Sequence, residues 1–178
     1  MAKDFLTNNP RKEYLGNEKK LRPGMLVDYF VQHHLAKKRG PHYDFRIGTK
    51  NTGLFSWAGE NHPLKTHEGD KSAITRTNLH SHSYGKWEGM IPPGYGHGEV
   101  KLDSSGKALI TNVTPKTISF TIPDKDNQQR YTLINPGKGY DKNFWLLLHK
   151  KNTDQPADNT KTAAIQYLHK LIGDKSFL

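Results

Sequence analysis

The chain has 178 residues and a formal net charge of +10, so its size suits one domain with a buried core, and its charge favours a polyanionic partner over ordinary solubility charge. Cysteine is absent, which excludes disulfides and thiolate zinc sites and leaves His and carboxylates as candidate metal ligands. The sequence has neither an apolar run long enough for a membrane helix nor a secretory signal, so we expect a cytoplasmic protein without membrane contacts.

In chain order, the sequence predicts an irregular arm followed by a series of strands. Residues 1–24 mix charges with Asn, Gly and Pro and show no hydrophobic period. From residue 25 onward, short apolar or alternating segments are separated by turn residues, which is typical of an antiparallel barrel or sandwich. The predicted strands are 27–32, 43–48, 54–58, 72–76, 99–103, 108–113, 118–123, 130–134 and 143–150.

The end of the chain has a different period. Between residues 158 and 172, apolar side chains recur at helical spacing and Gly173 follows them, which predicts one helix. We therefore expect an all-β fold, a compact antiparallel β-barrel with an irregular N-terminal arm and one C-terminal helix. The arm is 1–24, the barrel 25–152 and the helical extension 153–178.

The segment HYDFRI at 42–47 carries the clearest candidate chemistry. Side chains of a strand alternate between its two faces. One predicted face has Tyr43, Phe45 and Ile47, and the other has His42, Asp44 and Arg46. The apolar face suits a core, while the polar face is either a solvated surface or a functional site.

Further histidines lie at spacings that suit a metal site. His80, His82 and Tyr84 would share one face of an extended segment, and His33 and His34 follow an apolar run. Two or three imidazoles with one carboxylate make a plausible site for Mn, Fe or Zn. The chain has 10 His residues, however, so chance clustering is the alternative explanation.

Two other features of the sequence are candidate phosphate-binding groups. Arg46 can hold a phosphate through paired hydrogen bonds, and its alternative role is a surface ion pair with Asp44. The turn-rich stretch 89–98 matches neither the P-loop nor the dinucleotide fingerprint. We predict a turn between strands there, with backbone amides approaching a phosphate as the alternative.

Several sequence blocks together resemble one family, the 3′-phosphoesterase domain of DNA ligase D and its free-standing relatives. The blocks run in the order of the family and extend over most of the chain. They are YFVQHHLA at 29–36, HYDFR at 42–46, SWA at 56–58, WEGMIPPGYGHG at 87–98 and WLLL at 145–148.

The resemblance implies a compact β-barrel and a metal-dependent reaction. The metal, Mn²⁺ with Zn²⁺ or Co²⁺ as alternatives, assists removal of a 3′-terminal ribonucleoside or 3′-phosphate from DNA or RNA-DNA primer ends in repair. A ligase or polymerase on a separate chain is a candidate partner. The implied metal ligands are His34, Asp44 and His80; His42, Arg46 and Tyr84 would form the phosphate pocket, with His42 also placed for proton transfer.

The chain departs from the family pattern at several positions. A Lys that follows the SWA block falls on Asn61, and an Arg that precedes His80 falls on Ser72, with Lys71 or Arg76 as potential replacements. The segment between His34 and His42 is also longer, and the acidic residues of the arm are matched only by Asp4 and, less well, Glu13. These departures bear on rate and substrate preference.

Three hypotheses follow. The first is a metal-dependent 3′-end phosphoesterase. The second is a nucleic-acid-binding module of the same fold in which the missing Lys and Arg have weakened catalysis. The third is a cupin-like metal oxygenase built on His80, His82 and Glu88, although the spacing between His82 and Glu88 exceeds the usual pattern.

Overall fold

A computed structural model describes residues 20–123 and 128–151. Within these ranges the structure consists of nine strands and one 3-10 helix at His82–Lys86. The strands are β1 Leu26–Ala36, β2 Gly40–Thr49, β3 Gly53–Gly59, β4 Lys71–His80, β5 Gly89–Ile91, β6 Gly98–Thr114, β7 Thr117–Pro123, β8 Gln128–Ile134 and β9 Phe144–His149. No helix of the described part is long and apolar enough to span a bilayer.

The strands form one antiparallel sheet whose pairings close on themselves. Neighbours hydrogen-bond in the order β1-β2-β3-β4-β9-β8-β7-β6-β5, and β1 also pairs with β6. The eight strands other than β5 therefore form a closed ring of pairings, which is the topology of a β-barrel. This confirms the predicted all-β antiparallel barrel.

The chain divides into two compact units. The first contains Asp28–Leu64 and Ile74–Gly106, and the second contains Leu21–Val27, Lys65–Ala73 and the described residues from 107 to 151. Each has its own buried apolar side chains, including Phe30, Val31, Phe45, Ile47, Leu54 and Trp57 in the first and Ile110, Phe120, Tyr131, Leu133 and Leu147 in the second. Every candidate site residue described below lies in the first unit.

The register of β1, β2 and β3 sorts their side chains onto two faces. Val31 pairs with Phe45 and Phe45 with Trp57, so these three share an apolar face. The positions next to them in sequence point to the other side, because the side-chain period of a strand is two. We call this other side the polar face; it carries Gln32, His34, His42, Asp44, Arg46 and Ser56.

Three local predictions were wrong. The predicted strands 99–103 and 108–113 are one strand, β6, since Ser104, Ser105 and Gly106 continue the pairing conformation instead of turning. The short strand β5 lies inside the stretch predicted as a turn. The segment predicted to extend through His82 and Tyr84 leaves the strand at His80 and forms the 3-10 helix.

Other predictions concern residues that the structure does not describe. The helix at 158–172 and almost all of the arm at 1–24 lie outside the described residues. They stay predictions.

Candidate metal centre on the polar face of β1–β3

Two histidines and one aspartate form the centre of the polar face. His34 of β1 and His42 of β2 are direct partners in the strand pairing, and Asp44 follows two residues along β2. Each of the three is only 6% exposed. A buried carboxylate needs compensating positive charge or hydrogen bonds, and at 6% exposure this part of the polar face is not a solvated surface.

The distances within this group suit one small cation. Asp44 Oδ2 lies 3.5 Å from His34 Nδ1, and Asp44 Oδ1 lies 3.5 Å from His42 Nε2. Two ligand atoms that each bond a tetrahedral ion at about 2.1 Å would lie roughly 3.4 Å apart. One ligand atom from each of the three residues falls within 4.8 Å of the other two, and no other such group of His, Cys, Asp or Glu occurs in the described residues.

Backbone carbonyls fix the orientation of both imidazoles. His34 Nε2 lies 2.6 Å from the carbonyl oxygen of Gly96, and His42 Nδ1 lies 3.0 Å from that of Gly40. A carbonyl only accepts, so each of these nitrogens carries the proton and donates it. The opposite nitrogen of each neutral ring then turns its lone pair toward Asp44. Metal-binding histidines are typically held in this way.

The carbonyl that holds His34 depends on a glycine. Gly96 has a φ of +78°, in the left-handed region that side-chain-bearing residues rarely adopt. It lies in the loop between β5 and β6, and the next residue, His97, accepts a hydrogen bond of 2.8 Å at its carbonyl oxygen from Lys37 N. The glycine-rich stretch therefore contributes a carbonyl to the site instead of an amide.

Arg46 lies beside this group and is held by Gln32. Its Nη2 is 3.6 Å from Asp44 Oδ2, and its Nε donates to Gln32 Oε1 at 2.7 Å. Gln32 is fully buried, and its Nε2 donates to the carbonyl oxygens of Tyr84 at 2.8 Å and Trp87 at 3.0 Å. Every polar atom of the Gln32 amide is thus engaged, which fixes the guanidinium relative to the segment that carries Tyr84.

His80 approaches Arg46 from the end of β4. Its Nδ1 lies 2.7 Å from the Asn78 carbonyl oxygen and 3.2 Å from Arg46 Nη1. The shorter contact is with the carbonyl, which only accepts, so Nδ1 carries the proton and Arg46 Nη1 lies beside it without a hydrogen bond. The lone pair of His80 is therefore on Nε2. As in His34 and His42, a backbone carbonyl thus accepts the ring proton. His80 differs because it lies next to the guanidinium and is outside the three-residue ligand group.

The 3-10 helix places an aromatic ring over the guanidinium. Tyr84 is 4% exposed; its ring stacks on His80 with centroids 4.9 Å apart, and Arg46 Cζ lies 4.7 Å from the ring centroid. Gly85 permits this placement, since a Cβ there would collide with the ring of Phe30. Arg46, His80 and Tyr84 therefore form a compact neighbour to the His34, His42 and Asp44 group.

The charges of the site oppose the effect of burial. Burial would raise the pKa of Asp44, but Arg46 and the contacts with His34 and His42 hold it far below its usual range. Burial lowers the pKa of His42, yet contact with Asp44 makes its net shift upward. Burial and then the charge of Arg46 lower the pKa of His80 to about 3, so that ring is neutral near pH 7.

All six residues implied by the resemblance come together in one unit of the protein. The arrangement differs in one respect from the implied roles, because the ligand atoms that converge belong to His34, His42 and Asp44, while His80 lies beside Arg46. The donor set of two imidazole nitrogens and a carboxylate fits a divalent ion such as Mn²⁺ or Zn²⁺.

The residues of the oxygenase hypothesis do not form such a group. His82 Nε2 lies 2.7 Å from Asp28 Oδ2, and Glu88 Oε2 accepts from the amide of Leu102 at 2.9 Å. His80 faces Arg46 instead. The three side chains thus have separate partners in the described structure, and nothing in their geometry favours an oxygenase.

Sequence reasoning missed Gln32 and the backbone carbonyls that orient the histidines. A signal for Gln32 did exist, because it alternates with His34 and therefore shares its face. No comparable signal existed for Gly40, Asn78 and Gly96, since any residue has a carbonyl and only the folded chain decides where it points.

A comparison with known protein families finds a match. Residues 32–135 match the family described as the DNA Ligase D 3′-phosphoesterase domain. The match spans more than half of the chain and includes every residue of the candidate site. The chain therefore belongs to the DNA ligase D 3′-phosphoesterase domain family. A comparison with curated proteins found no match.

Proposed function

We propose that this protein is a metal-dependent phosphoesterase that removes 3′-terminal ribonucleosides or 3′-phosphates from DNA or RNA-DNA primer ends in repair. The observation that carries the proposal is the buried group of His34, His42 and Asp44 beside Arg46. A cation ligand set next to a fixed guanidinium is what a phosphate ester requires, since both stabilise negative charge on phosphoryl oxygens. Family membership supports the same reaction.

We assign the cation to His34, His42 and Asp44, and the phosphate to Arg46, His80 and Tyr84. This differs from the resemblance, which gave His80 to the metal and His42 to the phosphate. The reason is geometric: the lone pairs of His34 Nδ1 and His42 Nε2 face Asp44, and the group of ligand atoms that lie within 4.8 Å of one another does not include His80. A bound Mn²⁺, with Zn²⁺ or Co²⁺ as alternatives, would act as a Lewis acid on the phosphoryl group.

The surrounding side chains then have distinct tasks. Arg46 binds two phosphate oxygens, and Gln32 keeps its fork aimed at them. His80 is neutral before substrate binds, because burial and the Arg46 charge lower its pKa. A phosphate on Arg46 would offset that charge, so His80 would take a proton from solvent and donate it to the leaving ester oxygen as the P–O bond breaks. The attacking water would form the new P–O bond, and its protons would stay on the phosphate product or pass to solvent.

The reaction can be tested with a 5′-labelled primer that ends in a 3′-phosphate or a 3′-ribonucleotide. We expect Mn²⁺-stimulated shortening or dephosphorylation at the 3′ end. His42→Ala or Asp44→Ala should lower the rate at least about 100-fold, since each removes a ligand. His67→Ala, which changes an exposed histidine, is the matched control and should stay within about twofold of the original rate. Full activity in both site variants would overturn the assignment.

One observation favours the second hypothesis, a binding module with weak catalysis. Arg76 stands opposite Trp57 in the β3–β4 pairing, on the apolar face, and its guanidinium lies over the rings of Phe55 and Trp57 at 5.2 and 5.3 Å. It therefore does not replace the family Arg on the polar face. Salt-sensitive primer retention without any Mn²⁺-dependent turnover would favour this hypothesis.

A further inference from the structure

Three consecutive cations lie at the turn that joins the two ligand-bearing strands. Lys37, Lys38 and Arg39 are all exposed and connect β1 to β2. The pair formed by His34 and His42 is followed by only two more paired positions before this turn, a distance of about 7 Å along the strands. The basic turn is therefore at the edge of the candidate metal centre.

An exposed aromatic ring belongs to the same edge. Tyr95 is 92% exposed, the largest exposure among the exposed large hydrophobic side chains of the described residues. It precedes Gly96, whose carbonyl oxygen holds His34 at 2.6 Å. The same loop is tied to the basic turn by the hydrogen bond from Lys37 N to His97 O. The loop that carries Tyr95 therefore contacts both the basic turn and His34 through its backbone.

The backbone next to the basic turn contacts the site directly. Arg39 precedes Gly40, whose carbonyl oxygen accepts from His42 Nδ1 at 3.0 Å. Arg39 is therefore adjacent in the chain to a residue that orients His42.

We propose that Lys37, Lys38 and Tyr95 hold the nucleic-acid strand whose 3′ end enters the site. The two lysines would contact phosphates upstream of the 3′ end, and Tyr95 would stack on a base. Lysine and aromatic side chains together are the usual means of holding a single strand, because cations follow the backbone and any base has a stacking face. This inference rests on the proposed phosphoesterase function and adds a substrate-binding surface to it.

The proposal makes substrate length the informative variable. A dinucleotide with a 3′-phosphate reaches Arg46 but has almost no upstream backbone, whereas a single-stranded 12-mer with the same end extends over the proposed surface. We expect the KM of the unaltered protein to fall as length increases. In Lys37→Ser/Lys38→Ser and in Tyr95→Ala, the KM for the 12-mer should rise at least about fivefold toward that for the dinucleotide.

Matched variants separate this surface from general charge or aromatic loss. Lys50→Ser/Lys101→Ser removes the same two positive charges from exposed positions, and Lys50 lies at the opposite end of β2 from His42. Tyr140→Ala removes another exposed tyrosine, 60% exposed, that precedes β9. Both should keep the length dependence. Arg39 stays unchanged because it precedes Gly40, whose carbonyl oxygen orients His42.

Binding measurements keep this inference distinct from the proposed reaction. Fluorescence anisotropy with a labelled, uncleavable 12-mer and Mn²⁺ measures strand affinity whether or not turnover occurs. If the unaltered protein cleaves neither substrate, the phosphoesterase proposal fails, and a weaker Kd in the Lys37/Lys38 and Tyr95 variants still supports the strand surface. The strand-binding proposal would be overturned if the Lys37/Lys38 and Tyr95 variants kept the length dependence of KM. It would also be overturned if they had the same Kd as the Lys50/Lys101 and Tyr140 controls, and neither result would affect the proposed reaction.

Discussion

The two faces of β1–β3 carry similar residues with different consequences. On the apolar side, His33 stacks on Tyr43 with centroids 4.6 Å apart, and His62 lies 5.2 Å from Tyr43. His62 Nε2 contacts Asp103 Oδ2 at 2.6 Å, and its Nδ1 accepts from the Leu64 amide at 3.1 Å. Both nitrogens of that ring are occupied by protein groups.

On the polar side, His34 and His42 each have one ring nitrogen whose lone pair is not used by a backbone group. His34 and His42 give their proton to a backbone carbonyl and turn the remaining lone pair toward Asp44. His62, with the same ring and also next to an aspartate, gives its proton to that aspartate. The difference is that a backbone carbonyl takes the imidazole proton of His34 and of His42, which leaves the other ring nitrogen able to bind a metal beside Asp44.

The largest expected difference between the two faces appears when the aspartate that contacts histidine on each side is replaced by asparagine. Asp44→Asn should lower Mn²⁺ affinity and phosphoesterase activity at least about 100-fold, because the amide oxygen carries no charge and is a weaker ligand than a carboxylate oxygen. Asp103→Asn should leave both within about twofold, since a partly exposed pair contributes little. Calorimetric Mn²⁺ titration and primer cleavage measure the two effects. Equal losses in the two variants would contradict the assignment of the polar face.

A smaller effect is expected at the amide that supports Arg46. Gln32→Leu removes the acceptor of Arg46 Nε and the donor to the Tyr84 and Trp87 carbonyls. We expect kcat to fall about 10-fold to 100-fold, and the free energy of unfolding to fall by about 1–3 kcal/mol.

Gln129 offers the matched change for that experiment. Its Oε1 accepts from His149 Nε2 at 2.8 Å, within the second unit. Gln129→Leu should destabilise the protein, as measured by urea unfolding, without changing kcat by more than about twofold. If kcat falls equally in both variants, Gln32 has no specific role in positioning Arg46.

The smallest expected effect is a pH dependence of stability from His80. Burial and Arg46 lower its pKa to about 3, so the unfolded chain binds more protons than the folded chain between that value and about 6.5. In metal-free protein, the contribution of His80 to stability should therefore decrease as pH falls from 7 to 5, whereas the raised pKa of His42 acts in the opposite direction. Discounted for partial exposure of the ring, the contribution of His80 is about 1 kcal/mol.

His80→Gln provides the comparison, because glutamine does not titrate in this range. Urea unfolding at pH 7 and pH 5, with chelator present, should show a smaller loss of stability in the variant than in the unaltered protein. A direct check is the titration of the His80 ring by NMR, which should stay neutral at pH 5. A midpoint near the ordinary value of about 6.5 would contradict the described environment.

Part of the fold followed from short-range patterns and part did not. Alternation along 42–47 predicted two faces of a strand, and the structure has them. Ser104, Ser105 and Gly106 have the composition of a turn, yet β6 runs through them. Local composition predicts turns by propensity, and strand pairing along β6 overrides that propensity.

Part of the site was likewise readable from sequence. The six residues that the resemblance named do lie together, but their division into ligand and phosphate groups depends on where His80 points, and that is set by Arg46 and the Asn78 carbonyl. Sequence spacing placed His82 on the same face as His80, whereas the 3-10 helix turns it to Asp28.

By itself, the sequence determined the all-β class, the two-faced strand at 42–47 and the set of side chains with the chemistry for metal and phosphate. Only the tertiary structure decided which nitrogen of each histidine holds the proton, since that depends on carbonyls from Gly40, Asn78 and Gly96. Side-chain type is a local property of the chain. The direction of a lone pair is a property of the packed molecule, because hydrogen-bond partners distant in sequence fix it.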